Sequence, residues 1–261
     1  VCVNDSYIIK SDYVVLSVGH SARDTFEVLH KRQVIMEQKP FAMGVRIEHK
    51  QSLINKSQYG DENIAKILGA ADYKLTYTTS KGRGVFTFCM CPGGQVVAAA
   101  SENNMVAVNG MSNHARDDEN ANSAVLVQIY PEDFGSDYIL AGVELQRSLE
   151  RKAFEMGGGN YNAPAQLLGD FMVNKTSEYL GEIKNSYRPD IKLTNLNELL
   201  PDFMVEAIKE ALPNMGKQLK GFDNADSLLT AVESRSSSPA RILRDSKTYE
   251  SLNIKGLYPV G

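Results

Sequence analysis

Apolar and polar positions divide this chain into stretches of different period. Near the start, Val14, Val15, Leu16 and Val18 form a short apolar run that stops at Gly19. That pattern suits a strand buried on both faces, as in a parallel α/β sheet. Ser21 followed by Asp24 resembles a capping box, and Phe26, Val28, Leu29 and Val34 recur with roughly helical spacing. Strand, glycine turn and helix start together make a place where backbone N–H groups face an anionic ligand. At Phe41 the period becomes two. Phe41, Met43, Val45 and Ile47 alternate with Ala42, Gly44, Arg46 and Glu48, which predicts a strand with one buried face. Alternating runs at 73–79, 85–91, 95–101 and 105–111, separated by glycine- and asparagine-rich turns, predict antiparallel hairpins. Residues 51–58 and 64–68 supply helical cover.

From Asp133 the pattern is helical. Residues 141–160 set Val143, Leu145, Leu149, Ala153 and Phe154 near one face and end in Gly157, Gly158 and Gly159, a helix stop. Residues 163–173 and 193–212 read as two more helical stretches, the second capped by Thr194 and interrupted at Pro201. Residues 227–245 return to strand character around a serine-rich turn. The predicted class is α/β plus α+β, in four parts: 1–40, an antiparallel-sheet insertion over 41–130, a helical segment over 131–225, and a return over 226–261.

Composition narrows the partners. The chain has 261 residues, 43% of them hydrophobic, and a formal charge of −4 with Lys and Arg scattered. It buries a real core, and it offers no basic face to a phosphate backbone, so nucleic acid is not an expected partner. No apolar run approaches the roughly 20 residues that span a bilayer, so no membrane association is expected. Three cysteines, an odd number, do not make a disulfide framework. A reducing, cytoplasmic setting is the expectation. The chain opens on Val1 and stops in a strand-like "GLYPVG", the expectation being a piece of a longer protein.

Chemistry concentrates in "VFTFCMCPGGQVVAAAS", residues 85–101, where Cys89 and Cys91 stand one residue apart. On a regular strand both fall on one face with Val85 and Thr87, and their Cα atoms lie about 6.6 Å apart, the long edge of disulfide geometry. No second cysteine cluster completes a zinc site, and the four histidines are dispersed. No metal is expected. Packing in a hairpin turned by Pro92-Gly93-Gly94 is the favoured reading, with thiol chemistry the alternative. Arg235, Arg241 and Arg244 stand among hydroxyls and suit either an anion or a solvated loop. His20, His114, Glu144 and Asp170 are acid–base candidates by neighbourhood alone. No G-x-G-x-x-G, P-loop or G-x-S-x-G occurs.

Several stretches in order, among them "DYVVLSVGHSARDTFEVLH", "KPFAMGVRIEH", "FTFCMCPGGQVVAAAS", "NGMSNHARDDENANSA", "LLTAVESRSSSPARI" and "GLYPVG", resemble a family of bacterial, uncharacterised FAD-dependent dehydrogenases or oxidoreductases of the glutathione-reductase type. The resemblance implies that 1–40 and 226–261 are fragments of an FAD/NAD(P)-binding, Rossmann-like domain flanking the insertion. The family's N-terminal G-x-G-x-x-G half and C-terminal glycine-rich segment are missing here. It also implies FAD in the full-length protein, with NAD(P)H a further candidate and no cofactor held by this piece alone, which would be inactive. Gly19, His20, Ser21, Ser237, Ser238, Pro239, Arg241 and Gly261 would then lie near the cofactor, and Cys89 and Cys91 become candidates for catalytic electron transfer. The substrate is an unidentified small molecule, and the oligomeric state is not legible. A non-catalytic ligand-binding or protein-interaction module on a flavoprotein scaffold is the alternative.

Overall fold

The computed structural model describes residues 1–260, the side chain of Glu62 aside. Along the chain, β1 (Cys2–Val3) and β2 (Tyr7–Ile8) pair antiparallel, and β3 (Val14–Leu16) precedes α1 (Arg23–Lys31) and β4 (Met36–Gln38). Then follow β5 (Phe41–Lys50), α2 (Gln51–Tyr59), α3 (Ala65–Leu68), β6 (Thr76–Thr78), β7 (Gly84–Cys91), β8 (Gly94–Ala98), β9 (Val108–Ser112) and β10 (Asn120–Ile129). The remaining elements are α4 (Ala141–Met156), β11 (Ala163–Leu167), α5 (Leu168–Met172), β12 (Ile191–Leu193), α6 (Leu196–Leu199), α7 (Asp202–Gln218), β13 (Leu228–Glu233), β14 (Ala240–Ile242) and β15 (Leu257–Pro259). The result is a mixed α/β protein with one large mixed sheet.

Two compact units divide the chain. The first takes Val1–Phe41, Tyr130–Glu144 and the chain from Ser237 on; the second takes Ala42–Ile129 and Leu145–Ser236. In the first unit β3 and β15 pair in parallel, Val14 opposite Leu257 and Leu16 opposite Pro259, while β4 and β14 pair antiparallel. Leu140, Val143 and Ala240 are buried with Phe26 and Ile139 packed on them. α1 begins at Arg23 with Ala22 at the cap position, not Ser21. Ser21 instead sits beside His20, its Oγ 3.5 Å from Nδ1.

The second unit is built on a seven-stranded sheet, order β12-β11-β13-β5-β10-β7-β6. β11 and β12 run parallel, and β13 pairs antiparallel with both β11 and β5. Residues 163–167, expected to be helical, are therefore a strand, with α5 following. Short apolar runs fit either state, and pairing with β12 and β13 decides this one. Leu228–Glu233 likewise lies inside this sheet, next to β5, where the sequence reading put the start of the return segment. β5 is buried through His49 on both faces, not on one. Met43, Val45 and Ile47 enter the apolar core, while Arg46 and Glu48 are equally buried on the other face. α7 packs on β6, β7 and β10, burying Met204, Ile208, Ala211, Leu212 and Met215. Asn195, not Thr194, caps α6, its side chain accepting from the Asn197 N–H at 3.2 Å.

Two bulges set the functional geometry. On β7 the register runs Phe86–Leu126, Thr87–Val125, Phe88–Ala124, then slips to Cys91–Asn122. Cys89, at φ +45°, lies in the slip. The expected single face for Cys89 and Cys91 is thereby broken: Cys89 is exposed and Cys91 buried. On β13, Thr230 opposes Arg46, and after a bulge Glu233 opposes Gly44. Since opposed residues share a face, the extra residue turns Glu233 to the side of Arg46. The chain does turn at Pro92-Gly93, but β7 and β8 are not a hairpin. β8 pairs with β9 in a separate two-stranded sheet that packs on β7, β10 and β13.

Candidate functional site

In the first unit, β3 ends at Leu16, the chain turns through Gly19 at φ +75°, and α1 starts four residues on. Because β15 runs parallel to β3, the carboxyl ends of both strands face the same way, the side on which open α/β sheets bind ligands. A cavity of about 660 Å³ lies there, reached by Leu16, Val18, Gly19 and His20 from one strand and by Pro259 and Val260 from the other. Phe26, Ile242 and Leu243 add apolar wall; Lys39, Arg241 and Arg244 add positive charge; Ser238 and Ser246 add hydroxyls. No carboxylate stands among the described lining residues.

Local bonds fix this chemistry. Arg244 donates from Nη1 to the Pro259 carbonyl at 2.7 Å and lies over the Tyr249 ring, 5.7 Å from its centroid. Arg241 pairs with Glu37 across the β4–β14 ladder. The Lys39 N–H donates to the Pro239 carbonyl at 2.8 Å, which ties the lysine to the serine-rich turn. Of the residues singled out in the sequence for the cofactor, Gly19, His20, Ser238 and Arg241 line this one cavity. Ser21 and Ser237 do not line it. Pro239 is buried in the same unit, its Cβ facing the space beside Gly142. Gly261 falls outside the described residues. Lys39, Ser246 and Tyr249 carried no sequence signal, since each comes from a loop or strand end that only the fold brings here.

Cys89 and Cys91 lie in the second unit, in a buried polar cluster. Arg46 is fully buried; Nη1 stands 2.9 Å from both oxygens of Glu233, Nε donates to Asn122 Oδ1 at 2.8 Å, and Nη1 reaches Asn109 Oδ1 at 3.3 Å. Nη2 donates to the Cys89 carbonyl and lies 3.5 Å from Cys91 Sγ. Desolvation disfavours the guanidinium, but the charge and bonds of Glu233 outweigh it and hold Arg46 above its ordinary value. Burial pushes the Cys91 thiol up, against the pull of Arg46. Arg235, an anion candidate in the sequence, is also buried and paired, to both oxygens of Glu150 at 3.1 and 2.9 Å and to Ser101 Oγ. His114 is exposed, and Asp170 accepts from Ser177 Oγ at 2.7 Å. Among the described residues no cluster of three or more His, Cys, Asp or Glu is set to hold a metal, and no helix is long and apolar enough to cross a membrane.

Glu48, on the same face, shows how tightly this cluster is tuned. Its Oε1 accepts from Asn120 Nδ2 at 3.0 Å and from Ser186 Oγ, while Oε2 and Asn120 Oδ1 are both buried without a partner. Burial pushes the carboxyl up, against those two donors. A neutral carboxyl is the form that gives Oε2 a proton to donate. Since the folded value lies above the unfolded one, the contribution is full below the usual carboxylate range and fades as pH rises through the folded pKa. Glu48→Gln, which carries an N–H in place of that proton, is expected to gain stability relative to the parent as pH rises from 4.5 to 8. Urea midpoints measured across that range check it; parallel profiles contradict it.

Fold and cavity define a mixed α/β protein with a cationic, partly apolar cavity of the kind that suits a phosphate-bearing ring compound. The chain belongs to the family described as FAD-dependent protein, C-terminal domain-like, whose model matches residues 40–236. That span takes in the whole second unit and none of the residues that line the cavity. An uncharacterized protein from Clostridium beijerinckii is 52% identical over 254 residues, covering 97% of this chain and 48% of its own length. The chain thus spans about half the length of that relative. Family membership ties the full-length protein to FAD and gives the chain a flavoprotein-related role.

Proposed function

We propose that the chain is the substrate-side portion of an FAD-dependent oxidoreductase, its first unit holding part of the FAD site. The observation that carries this is the cavity at the carboxyl ends of β3 and β15, beside the start of α1. Parallel strands occur almost only in sheets covered on both faces. Here Val15 is 69% exposed and Tyr13 71% exposed. The pair therefore suits a larger Rossmann-like sheet, completed by the part of a longer polypeptide that the relative's length allows.

The residues fit the cofactor. Lys39, Arg241 and Arg244 match phosphate charge, and Leu16, Val18, Phe26 and Pro259 match an uncharged ring. FAD, when bound, supplies an acceptor for a hydride or an electron pair. The chain's own groups bind and orient it: Arg244, steadied by Pro259 and Tyr249, holds negative charge, and the Gly19 turn brings backbone close to the ligand. In a polypeptide of the relative's length, Arg244→Ala is expected to weaken FAD binding roughly ten- to hundredfold, the worth of one charged hydrogen-bonding group. Isothermal titration reads the change; an unaltered affinity overturns the placement.

A further inference from the structure

We propose that Cys89 and Cys91 form a dithiol that exchanges with small-molecule disulfides, Cys89 as the attacking thiol and Cys91 as the thiol that resolves the adduct. The proposal concerns the second unit alone and does not rest on the FAD reading.

Two cysteines at positions i and i+2 of a regular strand share one environment. The bulge in β7 gives these two different ones. Cys89, at φ +45° in the register slip, is exposed beside Phe88, itself 47% exposed. Cys91 lies buried, and its Sγ donates to the carbonyl oxygen of Cys89 at 3.3 Å. The second sulfur therefore rests on the backbone of the first residue. A straight strand would hold the two Cα atoms about 6.6 Å apart, near the limit for a disulfide; a left-handed residue in a bulge shortens that path.

Packing explains Cys91 by itself, since buried cysteine behaves as a small apolar residue. It does not explain an exposed Cys89 in a backbone region that disfavours side chains. Arg46 supplies the remaining element. Its Nη2 touches both the Cys89 carbonyl and Cys91 Sγ, so a positive charge lies beside the resolving sulfur and offsets part of the burial that keeps it a thiol.

The chemistry balances. The Cys89 thiolate attacks one sulfur of a disulfide RSSR, forming a mixed disulfide and releasing one RS⁻. Cys91, deprotonated, attacks the Cys89 sulfur, closing the internal disulfide and releasing the second RS⁻. Two protein thiols are oxidised, one RSSR is reduced to two thiols, and the two protons end on the released thiolates.

Glutathione disulfide is the probe, applied to the chain carrying Cys2→Ser so that the third, exposed cysteine does not report. Intact mass and peptide mapping are the readouts. The parent should lose two hydrogens and show a 89–91 linkage without a lasting adduct. Cys91→Ser should stop at a glutathione adduct on Cys89, and Cys89→Ser should form no adduct under the same conditions. The proposal is overturned if the parent stays reduced, if it keeps a stable adduct with no internal disulfide, or if Cys89→Ser reacts as fast as Cys91→Ser.

Discussion

Arg46→Met is expected to lower the unfolding free energy by about 3–5 kcal/mol, the usual cost of removing one partner from a buried ion pair. The reason lies in what the substitution leaves behind. Glu233 is 2% exposed, and Arg46 Nη1 bonds both of its oxygens. Without the guanidinium, the carboxylate is buried with no counter-charge, and burial already pushes Glu233 upward against the pull of Arg46. Asn122 Oδ1 and the Cys89 carbonyl lose their donor at the same time. Glu233→Leu combined with Arg46→Met should recover part of the loss, because apolar groups of similar volume leave no orphaned charge. Urea unfolding followed by circular dichroism reads both. A loss below about 1 kcal/mol for the single variant, the range of an exposed pair, contradicts the structural role assigned to Arg46.

Gly44→Ala is the second large effect. A Cβ at Gly44 would stand 1.9 Å from the Val125 carbonyl oxygen and 3.2 Å from the Leu126 Cα, both backbone of the neighbouring strand β10. Nothing flexible absorbs the contact, so the two central strands must separate. Overpacking of side chains typically costs about 1–3 kcal/mol, and a backbone clash in mid-sheet should reach at least the upper end of that range. Gly84→Ala is the internal comparison, since its nearest obstacle, at 2.6 Å, is the end of the Gln128 side chain. Thermal unfolding should place Gly44→Ala well below Gly84→Ala. Equal midpoints would contradict the close approach of β5 and β10.

How much of this the sequence disclosed depends on the range over which each pattern acts. The apolar run ending at Gly19, the helix that stops before Gly157 and the strand in "GLYPVG" are local signals, and each appears where the pattern puts it. The bulges are not local. Nothing in "FTFCMC" marks Cys89 as the residue that turns out, because the slip arises from pairing with Asn122 and Ala124 on β10. The polar residues of β5 read as a solvated face for a similar reason: their cover, β8 and β9, comes from a segment read as hairpins of the same sheet. β10 itself lacks a clear period of two, since Ala124, Val125, Leu126 and Val127 are all buried. In the cavity, the Gly19 turn and Arg241 are legible as anion-binding features from the residues themselves, while Ser238 and the placement of all of them beside a cofactor come from resemblance. Lys39 and Tyr249 escaped because the groups that give them meaning lie far away in the chain.

FAD titration, followed by absorbance and by flavin fluorescence, into this chain and into a polypeptide extended to the length of the Clostridium relative tests the account most directly. The extended protein is expected to bind one FAD per chain, and the present chain far more weakly, because the first unit holds only part of the site. An extended protein that binds no FAD would contradict the flavoenzyme reading.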